Sequence, residues 1–141
     1  MRKVELTLCR GFYPINEVRN FMANICHQIG LKRSEIYRIK AAVDEACMNI
    51  IQHSYKNKKG NISIRLDSNA TKITIYIRDS GKSFKVRKAK RRTPDDIVNI
   101  EKEGGLGLSM IEQLMDEVKY SRREKYNQLT MIKYYGRKQR T

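Results

Sequence analysis

Two short runs of strict alternation, Ile62/Ile64/Leu66 and Ile73/Ile75/Ile77, lie either side of the polar tetrapeptide Asp67-Ser68-Asn69-Ala70. Successive strand side chains point to opposite faces, so each run presents one apolar face, and the pair reads as an antiparallel hairpin. Such a hairpin is not stable alone in water and needs cover on its apolar face. Helical stripes are available to supply it. Ile15, Val18, Phe21, Met22, Ile25 and Ile29 recur at helical spacing between Pro14, suited to a first turn, and Gly30, a stop signal. A second stripe, Ile36, Ile39, Val43, Ala46, Cys47 and Ile50, follows Ser34, a candidate N-cap. A third helix is expected from Leu106 to Asp116. Further strands are expected at Val4 to Leu8, Val118 to Arg122 and Leu129 to Tyr135. Helices gathered on one face of a mostly antiparallel sheet make an α+β two-layer sandwich.

With 141 residues, 40% of them hydrophobic, the chain has material for one core rather than two. Residues 1–135 are therefore expected to form a single domain, with 136–141 a basic tail. No apolar run approaches the roughly 20 residues that cross a bilayer, and Met1-Arg2-Lys3-Val4-Glu5-Leu6 lacks a signal-peptide core, so a cytoplasmic protein is expected. Cys9, Cys26 and Cys47 are odd in number and widely spaced, which fits buried thiols and neither a disulfide framework nor a zinc site. The formal charge of +15 raises the possibility of nucleic-acid binding, but the cations are dispersed and no nucleic-acid motif accompanies them. Direct nucleic-acid binding is not expected.

Three motifs carry chemistry. In Glu45-Ala46-Cys47-Met48-Asn49 a carboxylate and an amide stand four residues apart, on one face of the second helix. Asp79-Ser80-Gly81-Lys82-Ser83-Phe84 closes the second hairpin strand. Gly104-Gly105-Leu106-Gly107-Leu108 opens the third helix, where backbone N–H groups and the helix dipole suit phosphate. Between the last two, residues 82–103 are polar and without period, and a loop of that length in a compact domain suits a lid. Six of the eight residues from Lys85 to Arg92 are basic. Taken singly, the Glu/Asn pair would be a solvated helix face and Asp-x-Gly an ordinary turn. Their combination points to a nucleotide site.

On these motifs the chain resembles the GHKL ATPase superfamily, with its Bergerat ATP-binding fold, and within it the bacterial anti-sigma-factor serine kinases. Ala42 to Tyr55 is similar to the family's N box, Asp79 to Phe84 to its first glycine box, and Gly104 to Val118 to its second. The resemblance implies ATP and magnesium as cofactors. It implies Asn49 as the magnesium ligand, Glu45 as the general base, Asp79 with Gly81 at the adenine, and Gly104, Gly105, Leu106 and Gly107 at the phosphates. His53 matches a histidine common in the N box and is read as structural. A threonine near the adenine usually precedes the last strand. Here Tyr126-Asn127-Gln128-Leu129-Thr130 leaves Thr130 or Gln128 to serve, and Thr130 is assigned.

The implied function is that of an ATP-binding anti-sigma factor that sequesters a sigma factor and phosphorylates Ser or Thr of an anti-sigma antagonist. Glu45 favours this over the alternative, a non-catalytic ATP-gated binding module, which would need no base. The relatives form homodimers. A dimer through the N-terminal strand and the stripe of the first helix is accordingly expected.

Overall fold

The computed structural model describes residues 2–9, 14–56, 60–81 and 108–135. Strand β1 (Arg2–Cys9) is followed by helices α1 (Ile15–Ile29) and α2 (Arg33–Asn49), the latter running on into a π-turn (Ile50–Ser54). Then come β2 (Asn61–Ser68), β3 (Lys72–Asp79), α3 (Leu108–Leu114), β4 (Glu117–Arg122) and β5 (Asn127–Tyr134). The strands form one sheet in the order β1-β2-β3-β5-β4, antiparallel throughout. The lid expected at 82–103, the glycines 104, 105 and 107 with Leu106, and the tail 136–141 lie outside the described residues.

The alternation of the hairpin sorts the sheet's faces. Ile62, Ile64 and Leu66 of β2, Ile73, Ile75 and Ile77 of β3, and Leu129 and Met131 of β5 are buried in one cluster with Val18, Met22, Ile25 and Cys26 of α1, Ile36, Ile39, Val43, Ala46 and Cys47 of α2, and Leu108 and Ile111 of α3. This is the two-layer α+β sandwich the pattern requires. The opposite face holds Arg65, Tyr76, Arg78, Gln128 and Thr130, positions that alternate with the buried ones. There Arg65 lies over the Tyr76 ring at 4.3 Å and Arg78 over Tyr126 at 4.5 Å, so part of the basic charge rests on the protein's own aromatic rings.

Local chemistry sets the ends of the elements. Gly30 adopts φ 88° and its N–H reaches Cys26 O, while Leu31 N–H reaches the same carbonyl at 3.1 Å, a left-handed cap that a β-carbon would strain. At α2 the expected cap is displaced. Ser34 lies inside the first turn, and the Glu35 carboxylate accepts the Lys32 N–H at 2.8 Å instead. In the β2–β3 turn Asn69 Oδ1 accepts from Thr71 N and Lys72 N at 2.9 and 3.0 Å, so the connection is 69–71 and β2 extends to Ser68. Arg19 ties α1 to α2 through Asp44 at 2.7 Å.

Two expectations are sharpened by this packing. Cys26 and Cys47 are buried, and burial pushes the Cys26 thiol up to about 12, which keeps it inert. Of the α1 stripe proposed for a dimer face, Val18, Met22 and Ile25 are sunk in the chain's own core and Phe21 is half-buried. The stripe is largely spent within the chain. Within the described sheet β1 has a neighbour on one side only.

Candidate nucleotide site

Helix α2 lies over the sheet so that Ala46, Asn49 and Ile50 face Ile77 and Asp79 of β3, Leu129 of β5, Tyr120 of β4 and Leu108 of α3 around one cleft. Six of those eight side chains are apolar or aromatic, and the two polar groups are an amide and a carboxylate. An apolar slot with few, placed polar groups is the usual make-up of a small-molecule site.

The π-turn decides what meets the carboxylate. Tyr55 N–H reaches Ile50 O at 2.9 Å, a five-residue step that widens the helix end and turns Ser54 and Tyr55 toward the first glycine box. The Tyr55 hydroxyl accepts the Ser80 N–H at 2.9 Å and donates to Asn61 O at 2.6 Å. Gly81 packs on the same turn: a β-carbon there would stand 2.7 Å from Ser54 O and 2.8 Å from Ser54 C. Glycine is therefore required by the helix backbone beneath the loop, a reason that sequence alone did not supply.

Asp79 is 3% exposed. Its Oδ1 accepts from the Gly81 N–H and from Asn127 Nδ2, each at 2.9 Å. Burial raises its pKa above the ordinary carboxylate range, and the bonds from Asn127 and Gly81, then the Ser54 hydroxyl and the Arg122 charge, oppose that rise. Asn49 is 6% exposed, and its Nδ2 is buried without a hydrogen-bond partner among the described residues. A buried amide N–H left open on a cleft wall is costly unless an acceptor satisfies it, and it fits a phosphate oxygen; the oxygen of the same amide is of the ligand type a hydrated cation takes. Glu45 is half-buried one turn earlier on the same side of α2. His53 is half-buried on the π-turn.

Of the predicted site residues, the structure brings Asn49 and Asp79 to the cleft, with Gly81 against its floor. It does not bring Thr130. That residue pairs with Tyr76 on the sheet's other face, where Gln128 Nε2 donates to its hydroxyl at 3.1 Å and Arg78 Nε donates to Gln128 Oε1 at 2.7 Å. Strand parity puts Thr130 and its alternative Gln128 alike on the face away from this cleft. The cleft side belongs to Leu129 and Asn127. Asn127, directly opposite Asp79, was missed. The one signal for it was a polar residue that hairpin pairing would set beside a strand-end aspartate.

The protein's residues 14–133 match the family described as the histidine kinase-like ATPase domain. The chain belongs to that family. It is 34% identical to the serine-protein kinase RsbW of Bacillus thuringiensis, over 97% of this chain and 88% of that one, and 36% identical to RsbW of Bacillus licheniformis over 72% and 66%. Solved structures agree in fold. The structure of the RsbU and RsbW domains of a Mycobacterium tuberculosis protein aligns with TM-score 0.67 at 19% identity, over 94% of this chain and 32% of that one. The nucleotide-free catalytic domain of the histidine kinase ThkA aligns with TM-score 0.55 at 15% identity, over 95% and 96%.

Proposed function

We propose that this chain is an ATP-dependent protein serine/threonine kinase and anti-sigma factor, which sequesters a sigma factor and phosphorylates Ser or Thr of an anti-sigma antagonist. The observation that carries it is the pairing on α2: Asn49 opens a buried amide onto a cleft floored by Asp79, and Glu45 stands one turn away. A module that only bound nucleotide would need the first two and not the third. The serine-protein kinases among its relatives share most of its length.

In this reading the base lies in the apolar slot with its exocyclic amine donating to Asp79. Asn49 supplies an oxygen ligand to magnesium, which when bound offsets the charge of the triphosphate. Glu45 accepts the proton of the acceptor hydroxyl as that oxygen bonds to the γ-phosphorus and the bond to the ADP oxygen breaks. Gly104, Gly105, Leu106 and Gly107, leading into α3, hold the phosphates through backbone N–H groups. The protein acts in the cytoplasm, and β1, unpaired along one edge in the described sheet, is the place for a homodimer contact.

Incubating the purified chain with magnesium-ATP and its candidate antagonist, then locating phosphate by mass spectrometry, tests the reading. Transfer to a serine or threonine is expected. ATP-dependent binding of the partner with no transfer would favour the non-catalytic module.

A further inference from the structure

The side chain opposite Asp79 is built into the floor of the cleft more completely than any residue the motifs named. Asn127 is 0% exposed. Its Nδ2 donates to Asp79 Oδ1 at 2.9 Å and to Gly81 O at 3.0 Å, and its Oδ1 accepts from Arg122 Nη1 at 2.8 Å. The same Arg122 nitrogen donates to Gly81 O at 3.1 Å. Both amide hydrogens are thus used on two different acceptors, and the amide oxygen holds a guanidinium. We infer that Asn127, backed by Arg122, is the positioning residue that sets the orientation and charge of the base-recognising carboxylate.

The chemistry of the amide makes this assignment specific. With Asn127 and the Gly81 N–H both on Oδ1, the carboxyl plane is held. Aspartate at 127 would give no donor and set a second carboxylate beside the first. Threonine has one hydroxyl hydrogen and cannot serve Asp79 and Gly81 O together. Among the described residues the groups that face Asp79 are few: the Ser54 hydroxyl from the π-turn and the Tyr55 phenol just after it, Arg122 from β4, and Tyr120, also from β4, along the cleft. Among the described residues α2, the π-turn and α3 contribute the uncharged Ala46, Asn49, Ile50 and Leu108 to that cleft. Asn127 is the neutral donor that most opposes the upward push of burial on this carboxylate, and Arg122, donating to the amide oxygen, keeps the amide turned the right way.

The inference rests on the reading of the cleft as the nucleotide site, and two measurements keep the two apart. In the ligand-free protein, carboxyl-carbon NMR follows the titration of Asp79 in the parent, Asn127→Ala, Asn127→Thr and Arg122→Gln. Magnesium-ATP affinity is then measured across pH on the same proteins, and kcat and KM for ATP near neutrality. Asn127→Ala should move the Asp79 titration upward and weaken ATP by about tenfold, the value of one lost hydrogen bond. The loss should be greatest at low pH, with KM rising more than kcat falls. Asn127→Thr, which keeps one donor, and Arg122→Gln should shift it less and in the same direction. Gln128→Ala, altered on the sheet's other face, should leave both unchanged. An Asp79 titration at the parent position in a folded Asn127→Ala or Asn127→Thr protein, or an ATP deficit equal at every pH, overturns the inference. Failure of the parent itself to bind ATP overturns the nucleotide reading, while the ligand-free titration still decides the role of Asn127.

Discussion

The two ends of the cleft are finished to different degrees. At the floor, Asp79, Asn127, Gly81 and Arg122 close a ring of hydrogen bonds between 2.8 and 3.1 Å, and the glycine backbone is pressed onto Ser54. On the helix wall, Asn49 keeps a buried amide nitrogen without a partner among the described residues, and Glu45, which does not itself line the cleft, is half-buried one turn earlier. The floor is organised before a ligand arrives; the wall keeps a polar group that a ligand must complete. That division suits a kinase, because recognition of an invariant base gains from rigidity. Phosphoryl transfer needs groups satisfied only when phosphate, cation and acceptor come together.

The largest expected effect tests the wall. Glu45→Ala should lower phosphate transfer to the antagonist by about 10²–10⁴-fold, the usual contribution of a general base, with ATP affinity little changed. Transfer at the parent rate would remove Glu45 from the chemistry and with it the contrast between wall and floor. Next, Asn49→Ala should weaken magnesium-ATP by roughly 10–100-fold, as expected for loss of a bond to a charged group. It should do so without destabilising the ligand-free fold, since no internal bond of its amide nitrogen is lost. Asn127→Ala is the counterpart, expected to cost about 1–3 kcal/mol in urea unfolding because Asp79 and Gly81 O lose a donor. Equal unfolding curves for the two variants would erase the proposed difference.

Smaller effects sharpen the account of the floor. Gly81→Ala places a β-carbon within 2.7 Å of Ser54 O and should destabilise the domain by about 1–3 kcal/mol, read as a lower melting temperature. The pH dependence has a definite sign. Burial holds the Asp79 pKa above its ordinary value, so the folded protein binds that proton more tightly than the unfolded chain. Its contribution is therefore fully present below the ordinary aspartate pKa and is lost as pH rises through the raised one. Urea midpoints of the ligand-free protein from about pH 4 to pH 7 should show this downward component, and Asp79→Asn should remove it. A steeper decline in Asp79→Asn than in the parent would contradict the sign.

The residues differ in how much of this they disclose by themselves. The hairpin alternation, the helical stripes and the stop at Gly30 are local in origin, set by the two-residue and 3.6-residue periods and by the φ > 0 that glycine tolerates, so strands, helices and layer class could be read before any contact was known. The i,i+4 spacing of Glu45 and Asn49 is local too, as is the Asp79-x-Gly81 turn. Thr130, Asn127 and the reason for Gly81 are not. Which side of a strand faces a cleft depends on register, and a shift of one residue exchanges the faces, so the choice among residues 127–130 was settled only when Asp79 met Asn127 across β3 and β5. Ser34 is not the cap because the helix begins one residue before it, at Arg33, with the Glu35 carboxylate accepting the Lys32 N–H, and where a helix starts depends on the packed chain before it. The π-turn that carries Ser54 under Gly81 has no periodic signature. It joins residues 27 positions apart through backbone contact, and only the packed helix and sheet together could decide it.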